Sequence, residues 1–153
     1  MSKPLVVLDK VQKHFGTFAA VKEIYLEIFE GEFLAIMGPS GCGKTTTLRM
    51  LAGLDAPSVG EIRMNGQVIN EVEPHERDTP LVWQSLALFP FLTARENVEF
   101  GLRMRGVNKK ERKERALTWL EKLDILEFSD RNVSTLSGGQ KQRVALARSL
   151  VLE

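Results

Sequence analysis

One run of eight residues constrains the fold more than any other feature of this chain. It fits the pattern G-x-x-x-x-G-K-[ST] and consists of Gly38, Pro39, Ser40, Gly41, Cys42, Gly43, Lys44 and Thr45. The apolar segment 33–37 before it predicts a buried strand, and residues 44–51 predict a helix that Gly53 ends. A strand, a glycine-rich turn and a helix in this order are the context in which such a run binds phosphate. We therefore expect a phosphate-binding loop between a central strand and a helix.

The residue types of the loop suit that chemistry. Glycines allow backbone N–H groups to converge on an anion, and the helix N-terminus adds its positive end. Lys44 is expected to reach the β- and γ-phosphates of a nucleotide, and the Thr45 hydroxyl to bind Mg²⁺. Cys42 lies near Lys44 and a helix N-terminus, a setting that favours a reactive thiol, with an inert small residue as the alternative.

A second motif opens the last predicted helix. Ser137 and Gln140 form the sequence of a capping box, and apolar residues follow at helical spacing. Gly138 and Gly139 leave N–H groups of the first turn uncovered, so the same cap is also suited to a phosphate. The spacing leaves both interpretations open.

The five-residue string around that cap decides the family resemblance. It reads Leu136, Ser137, Gly138, Gly139 and Gln140. With the phosphate loop upstream, it resembles the signature motif of the ATP-binding cassette (ABC) family, over essentially the whole chain. The resemblance implies an α/β P-loop NTPase fold. We place an antiparallel β subdomain and a partial RecA-like core at 1–92, and a helical subdomain at 93–153. ATP and Mg²⁺ are the implied ligands, each ATP lying between the phosphate loop of one subunit and the signature residues of another.

The resemblance also assigns roles to single residues. Phe15 matches the aromatic residue that stacks on adenine, with a core phenylalanine as the alternative, and Thr46 matches a contact to the α-phosphate. Gln84 matches the Q-loop glutamine, which contacts the metal or a water and senses the membrane partner; an ordinary turn residue is the alternative. Segments 86–90 and 93–98 resemble the part that meets a transporter's membrane subunit.

The family's hydrolytic residues are not matched in this sequence. In the family, a strand ending in Asp-Glu follows the signature helix, and a D-loop and a switch histidine come next. Asp9 follows an apolar run, but it precedes the phosphate loop and belongs to a predicted first strand of the antiparallel sheet. His14 and His75 match no catalytic position. We therefore expect the chain to be truncated before these residues and not to hydrolyse ATP by itself.

The implied function is that of the ATP-binding subunit of an importer. Residues 77–107 look most similar to importers of the polyamine, maltose and ferric-ion type, and we favour polyamine uptake. The implied partners are integral membrane permease subunits and a second nucleotide-binding subunit, at the cytoplasmic face of the membrane. Two alternatives stay open: a soluble ABC protein outside transport, and a module that binds nucleotide without hydrolysing it.

Composition argues against other classes. The net charge is +1, so there is no electrostatic argument for nucleic-acid binding. No apolar run is long enough to span a bilayer, residues 1–8 do not resemble a signal peptide, and a single cysteine fits a reducing compartment. The basic stretch 103–115 is interrupted by Glu111 and Glu114, which favours a solvated helix face over contact with lipid headgroups or a membrane subunit.

The remaining patterns predict strands first and helices later. Residues 24–29 alternate like a half-buried strand, and Asn65-Gly66 predicts a tight hairpin turn within 60–69. From Thr93 onward the pattern is helical. Residues 109–123 carry an apolar stripe at positions 117, 120 and 123.

Overall fold

A computed structural model describes residues 3–77 and 79–152 of the chain. It divides into two units, Met1–Thr79 and Pro80–Glu153, each with a hydrophobic core of its own. The boundary between these units falls before the position, 92, that the sequence predicted for the subdomains. The subdomain assignment itself stays a prediction.

The first unit contains a four-stranded antiparallel sheet. Its strands are β1 (Val6–Phe15), β2 (Phe18–Ile28), β3 (Val59–Met64) and β4 (Gln67–Val68), in the order β2-β1-β3-β4. Asn65 and Gly66 have φ angles of 51° and 80°, which the tight turn between β3 and β4 requires. The predicted first strand, the strand at 24–29 and the hairpin are thus confirmed.

One helix packs on this sheet and carries the phosphate loop at its start. Helix α1 (Lys44–Leu51) buries Met50 fully against Leu8 and Ile62 of the sheet. Gly53 has a φ of 77°, and its N–H donates to the Met50 carbonyl at 3.2 Å. Only glycine adopts this backbone readily, so the helix ends where the sequence predicted.

Residues 33–37 do not form the buried strand that their apolar sequence predicted. Their backbone belongs to no strand, and Phe33 and Met37 are 95% and 87% exposed. A strand needs a neighbouring strand to satisfy its backbone groups. In residues 3–77 and 79–152, every strand pairs within the antiparallel sheet, and none runs beside this segment. The apolar sequence of 33–37 favours a strand, but the local sequence does not determine whether a neighbouring strand is present.

The second unit is helical. Its main helices are α2 (Ala94–Met104), α3 (Lys109–Lys122) and α4 (Gly138–Leu150), and short 3₁₀ turns at Leu126–Phe128 and Val133–Thr135 connect the last two. They pack around a shared core whose buried members are Ala94, Val98, Leu102, Ala116, Leu120, Ile125, Val133, Leu136, Val144, Ala147 and Val151. None of the helices in the described ranges has the length and apolar character needed to cross a membrane.

Capping residues fix where these helices begin. Thr93 and Glu96 form a capping box at the start of α2, and Asn108 caps α3 through its side chain. The apolar stripe predicted for α3 is present, with Leu120 fully buried and Leu123 packed against the same core. The predicted helical half of the chain is therefore confirmed.

Candidate phosphate-binding site

The glycine run 38–45 folds as a loop that leads directly into α1. Gly43 is the N-cap of α1 with a φ of 92°. A methyl group at this position would lie 2.6 Å from the carbonyl oxygen of Ala20 and 2.9 Å from the Val21 side chain, both in β2. Gly41 also has a positive φ, 82°. Glycine at position 43 thus allows the loop backbone to pass directly against the sheet.

The ammonium group of Lys44 lies over this loop. Its Nζ donates to the carbonyl oxygens of Gly38 and Pro39, both at 2.7 Å, and lies 3.5 Å from Sγ of Cys42. Two neutral carbonyls do not cancel a full positive charge, and the first-turn N–H groups of α1 carry the positive end of the helix dipole. The loop therefore concentrates positive potential at one point, where a phosphate group is favoured.

The side chains that follow Lys44 have different environments. Thr45 is exposed, Thr46 is half-buried, and Thr47 is buried with its hydroxyl donating to the Gly43 carbonyl at 3.0 Å. Thr47 thus fixes the start of the helix, and the exposed Thr45 lies in its first turn. The role of Thr45 as a ligand of a nucleotide-bound metal stays a prediction.

A cleft lies beside the phosphate loop. It has a volume of about 370 Å³ and is lined by residues 19–24 of β2 together with Gly41 and Cys42. Phe15 pairs with Phe18 at the turn from which β2 enters this cleft wall. The Phe15 ring is 52% exposed, so it is not a core residue, and the Lys13 ammonium lies 5.1 Å from its centroid. An exposed aromatic face on this hairpin suits stacking on a nucleobase.

A buried arginine that sequence reasoning missed holds α1 in place. The Arg77 guanidinium donates to the carbonyls of Met50 and Leu51 at the end of α1, at 2.9 and 3.2 Å. It also donates to three carbonyls after β4, those of Ile69, Asn70 and Val72. Burial lowers the pKa of Arg77 below its ordinary value. Because all five acceptors are backbone atoms, no sequence motif indicates this contact.

The second predicted motif is a well-formed helix start in the other unit. The Ser137 Oγ accepts from the Gln140 N–H at 3.3 Å, and the Ser137 N–H donates to the Gln140 side chain at 2.8 Å. A methyl group on Gly138 or Gly139 would meet no atom within 4 Å. A side chain at either position would therefore meet open space, and the first-turn N–H groups of α4 carry the positive end of the helix dipole.

The structure places Gln84 in an exposed turn of the second unit. The turn is closed by the Leu86 N–H, which donates to the Trp83 carbonyl at 2.8 Å. Within residues 3–77 and 79–152, no group of three or more His, Cys, Asp or Glu side chains is positioned to hold a metal. The expectation of Mg²⁺ therefore depends on Thr45, Gln84 and the oxygens of a bound nucleotide.

Comparison with known proteins identifies the family and relatives that this chain is similar to. The family described as ABC transporter matches residues 21–153. The spermidine/putrescine import ATP-binding protein PotA of Bacillus cereus is 46% identical over 149 residues, which cover 97% of this chain and 46% of that protein. PotA of Pseudomonas aeruginosa is 48% identical over 151 residues, covering 99% of this chain and 42% of that protein. The chain thus spans slightly less than half the length of the curated relatives it matches.

Solved structures show the same fold. The ATP-binding cassette MJ0796, described as a dimer in a post-hydrolysis state bound to ADP and Pi, is 38% identical with a TM-score of 0.85. A second dimeric structure of MJ0796, described as a bacterial ABC transporter cassette, gives a TM-score of 0.86. Each match covers 95% of this chain and 69% of the other. The predicted P-loop ATPase fold is therefore confirmed.

Proposed function

Since this chain belongs to the ABC transporter family, we propose that it carries the ATP-binding part of an importer subunit, with spermidine or putrescine as the imported solute. The observation that carries the proposal is the phosphate loop, where Gly43 abuts Ala20 and the Lys44 ammonium lies over the loop carbonyls. The choice of solute is supported by relatives named for spermidine/putrescine import.

In this proposal two subunits contribute different parts of the ATP site. The ATP-contacting residues are Phe15, Gly38, Pro39, Ser40, Gly41, Cys42, Gly43, Lys44, Thr45 and Thr46 in one subunit and Ser137, Gly138, Gly139 and Gln140 in a second. Thr45 and Gln84 would hold Mg²⁺, which neutralises charge on the β- and γ-phosphates. The proposed partners are a second copy or a similar subunit and permease subunits, at the cytoplasmic face of the membrane. A structural relative described as a dimer supports the paired arrangement.

A second candidate function is nucleotide binding without hydrolysis. ATPase activity is suggested by the family, but hydrolysis needs a positioned metal and an oriented water. Among the residues that the structure describes, no group of three or more His, Cys, Asp or Glu side chains is positioned to hold a metal. In this alternative the chain by itself binds ATP and does not turn it over.

The test of nucleotide binding is a titration with a fluorescent ATP analogue. Lys44→Ala should weaken binding by about 2 kcal/mol, roughly 30-fold in Kd, because a charge-assisted phosphate contact is lost. Lys113→Ala, an exposed lysine of α3, removes the same charge elsewhere and should bind like the unmodified chain. Equal affinities of the unmodified and Lys44→Ala chains would contradict the phosphate site.

The test of transport uses the complete subunit. If the proposal is right, it co-purifies with integral membrane subunits and supports ATP-dependent uptake of labelled spermidine into liposomes. A complete subunit that assembles only with soluble proteins would identify the non-transport alternative.

A further inference from the structure

The loop 84–92 in the second unit has an unfavourable backbone. Leu86 and Ala87 are consecutive residues with φ angles of 63° and 44°. Residues with a Cβ avoid this left-handed region, because the Cβ approaches the following carbonyl. Such a conformation persists only when surrounding groups hold it in place.

Arg148, in the last turn of α4, supplies one such support. Its Nη1 donates to the Ala87 carbonyl at 2.6 Å and its Nη2 donates to the Leu86 carbonyl at 2.8 Å. The guanidinium also lies 5.6 Å from the centroid of the Phe89 ring. One half-buried cation thus holds the carbonyls of both left-handed residues. Its burial lowers the pKa of Arg148 below the ordinary arginine value.

A second support comes from α2. The side chain of Asn97 is fully buried; its oxygen accepts from the Phe89 N–H at 2.8 Å. Its amide nitrogen donates to the carbonyls of Phe89 and Thr93, at 3.2 and 3.0 Å. The loop is therefore fixed to α2 at one end and to α4 at the other. The Phe91 side chain, which lies between the Asn97-bound residues Phe89 and Thr93, is 91% exposed.

We infer that Arg148 is a positioning residue that fastens the loop 84–92 to α4, so that displacement of α4 moves the loop with it. The helix whose last turn holds Arg148 begins at Gly138 and has Ser137, a proposed ATP contact, as its N-cap. A nucleotide that binds at this cap and displaces α4 would therefore also displace the loop and its exposed Phe91. This inference rests on the proposed function, in which the cap contacts ATP, and on the predicted contact of segment 86–90 with a permease subunit.

The chain offers a matched control on the same helix. Arg143 donates to the carbonyls of Leu123 and Asp124, both at 3.1 Å, and Asp124 also has a positive φ, 56°. Arg143→Met thus removes the same kind of contact at the end of α3 without touching the loop. Arg148→Met keeps the apolar stem and removes the donors, and Arg148→Lys retains the charge with a different geometry.

Two measurements on these variants test the inference. In the first, amide hydrogen exchange of the 153-residue chain should accelerate across 84–92 in Arg148→Met and stay unchanged in Arg143→Met. In the second, the complete subunit is assembled with its permease in liposomes, and ATP hydrolysis and spermidine uptake are followed together. For Arg148→Met, the KM for ATP should stay within about twofold while uptake per ATP hydrolysed falls about tenfold, with partial recovery in Arg148→Lys.

The outcomes separate the inference from the proposed function. Unchanged uptake per ATP in Arg148→Met, beside a wild-type assembly that transports spermidine, overturns the inference alone. The inference is also overturned if Arg148→Met loses hydrolysis and uptake in equal proportion and has a lower melting temperature, because a contact that only stabilises the fold would give this result. A wild-type assembly that takes up no spermidine overturns the proposed function and the coupling role with it.

Discussion

At the scale of single residues, Arg77 shows how the phosphate loop is held without any motif. A buried cation normally requires an anionic partner. Here the partners are five backbone carbonyls, two of them at the C-terminal end of α1, where the helix dipole is negative. The guanidinium therefore fixes the far end of the helix whose near end carries Lys44. The position of the phosphate loop therefore depends on the contacts at both ends of α1.

Replacing Arg77 by methionine should destabilise the first unit. The expected cost is about 3 kcal/mol, since several buried carbonyls lose their donor. Urea unfolding followed by circular dichroism measures it, and affinity for an ATP analogue should fall in the same variant. Arg63→Met is the control, because Arg63 pairs with Glu61 on the exposed face of β3 and should leave the midpoint near that of the unmodified chain. Equal midpoints for the two variants would show that the Arg77 contacts are dispensable.

At the scale of elements, the sequence correctly predicted features that depend only on residues close together in the chain. Helix α1, the turn at Asn65-Gly66 and the cap at Ser137 each depend on neighbours within a few residues, and each is present. The strand at 33–37 depends on a partner distant in sequence, and that prediction was wrong. The hydrogen bonds of Arg148 were also not predicted, because their acceptors are backbone carbonyls, which every residue has.

The capping box of α2 makes the stability of the second unit depend on pH. The Thr93 backbone N–H donates to the Glu96 carboxylate at 2.8 Å, and this bond, with a contribution from the Thr93 side chain, lowers the pKa of Glu96 below its ordinary value of 4.5. A carboxyl with a depressed folded pKa stabilises the fold above its unfolded pKa. This stabilisation is lost as the pH falls through the folded pKa.

Glu96→Gln should therefore flatten the pH dependence of unfolding below about pH 4.5, because glutamine keeps the cap but does not titrate. Urea midpoints at pH 6 and pH 3 test this. Tryptophan fluorescence reports on the correct unit, since both tryptophans, Trp83 and Trp119, belong to it. An identical fall in the midpoint for both proteins would assign the effect to other carboxyl groups.

At the scale of the whole molecule, an apolar surface accompanies the phosphate loop. The segment 33–37 is exposed along its length, with Phe33 and Met37 almost fully so. Exposed patches of this kind bind other apolar surfaces. The 153-residue chain should therefore bind a hydrophobic dye, and Phe33→Ser with Met37→Ser should reduce the signal. Phe18→Ser, which removes an exposed aromatic from the β1–β2 hairpin, is the control; an equal reduction by this change would place the dye site elsewhere.

The proposed ATP site of the molecule consists of groups that bind a nucleotide. In the proposed function, the loop's cation, its glycine N–H groups and one threonine hydroxyl bind ATP with Mg²⁺. Hydrolysis also needs a group that orients or deprotonates the attacking water, which contributes on the order of 10²-fold or more. We propose that no group of this chain takes that role.

We therefore predict that the 153-residue chain binds ATP but releases phosphate no faster than its Lys44→Ala variant. The measurement is a coupled phosphate-release assay with Mg²⁺, run beside the binding titration so that failure to bind is recognised. Fusing the chain to the C-terminal part of the Bacillus cereus relative should restore turnover that depends on Lys44, because the longer protein belongs to an ATPase family. Lys44-dependent turnover by the short chain would instead mean that a carboxylate within it orients the water. Asp9 would be the first to replace, since it follows the apolar start of β1.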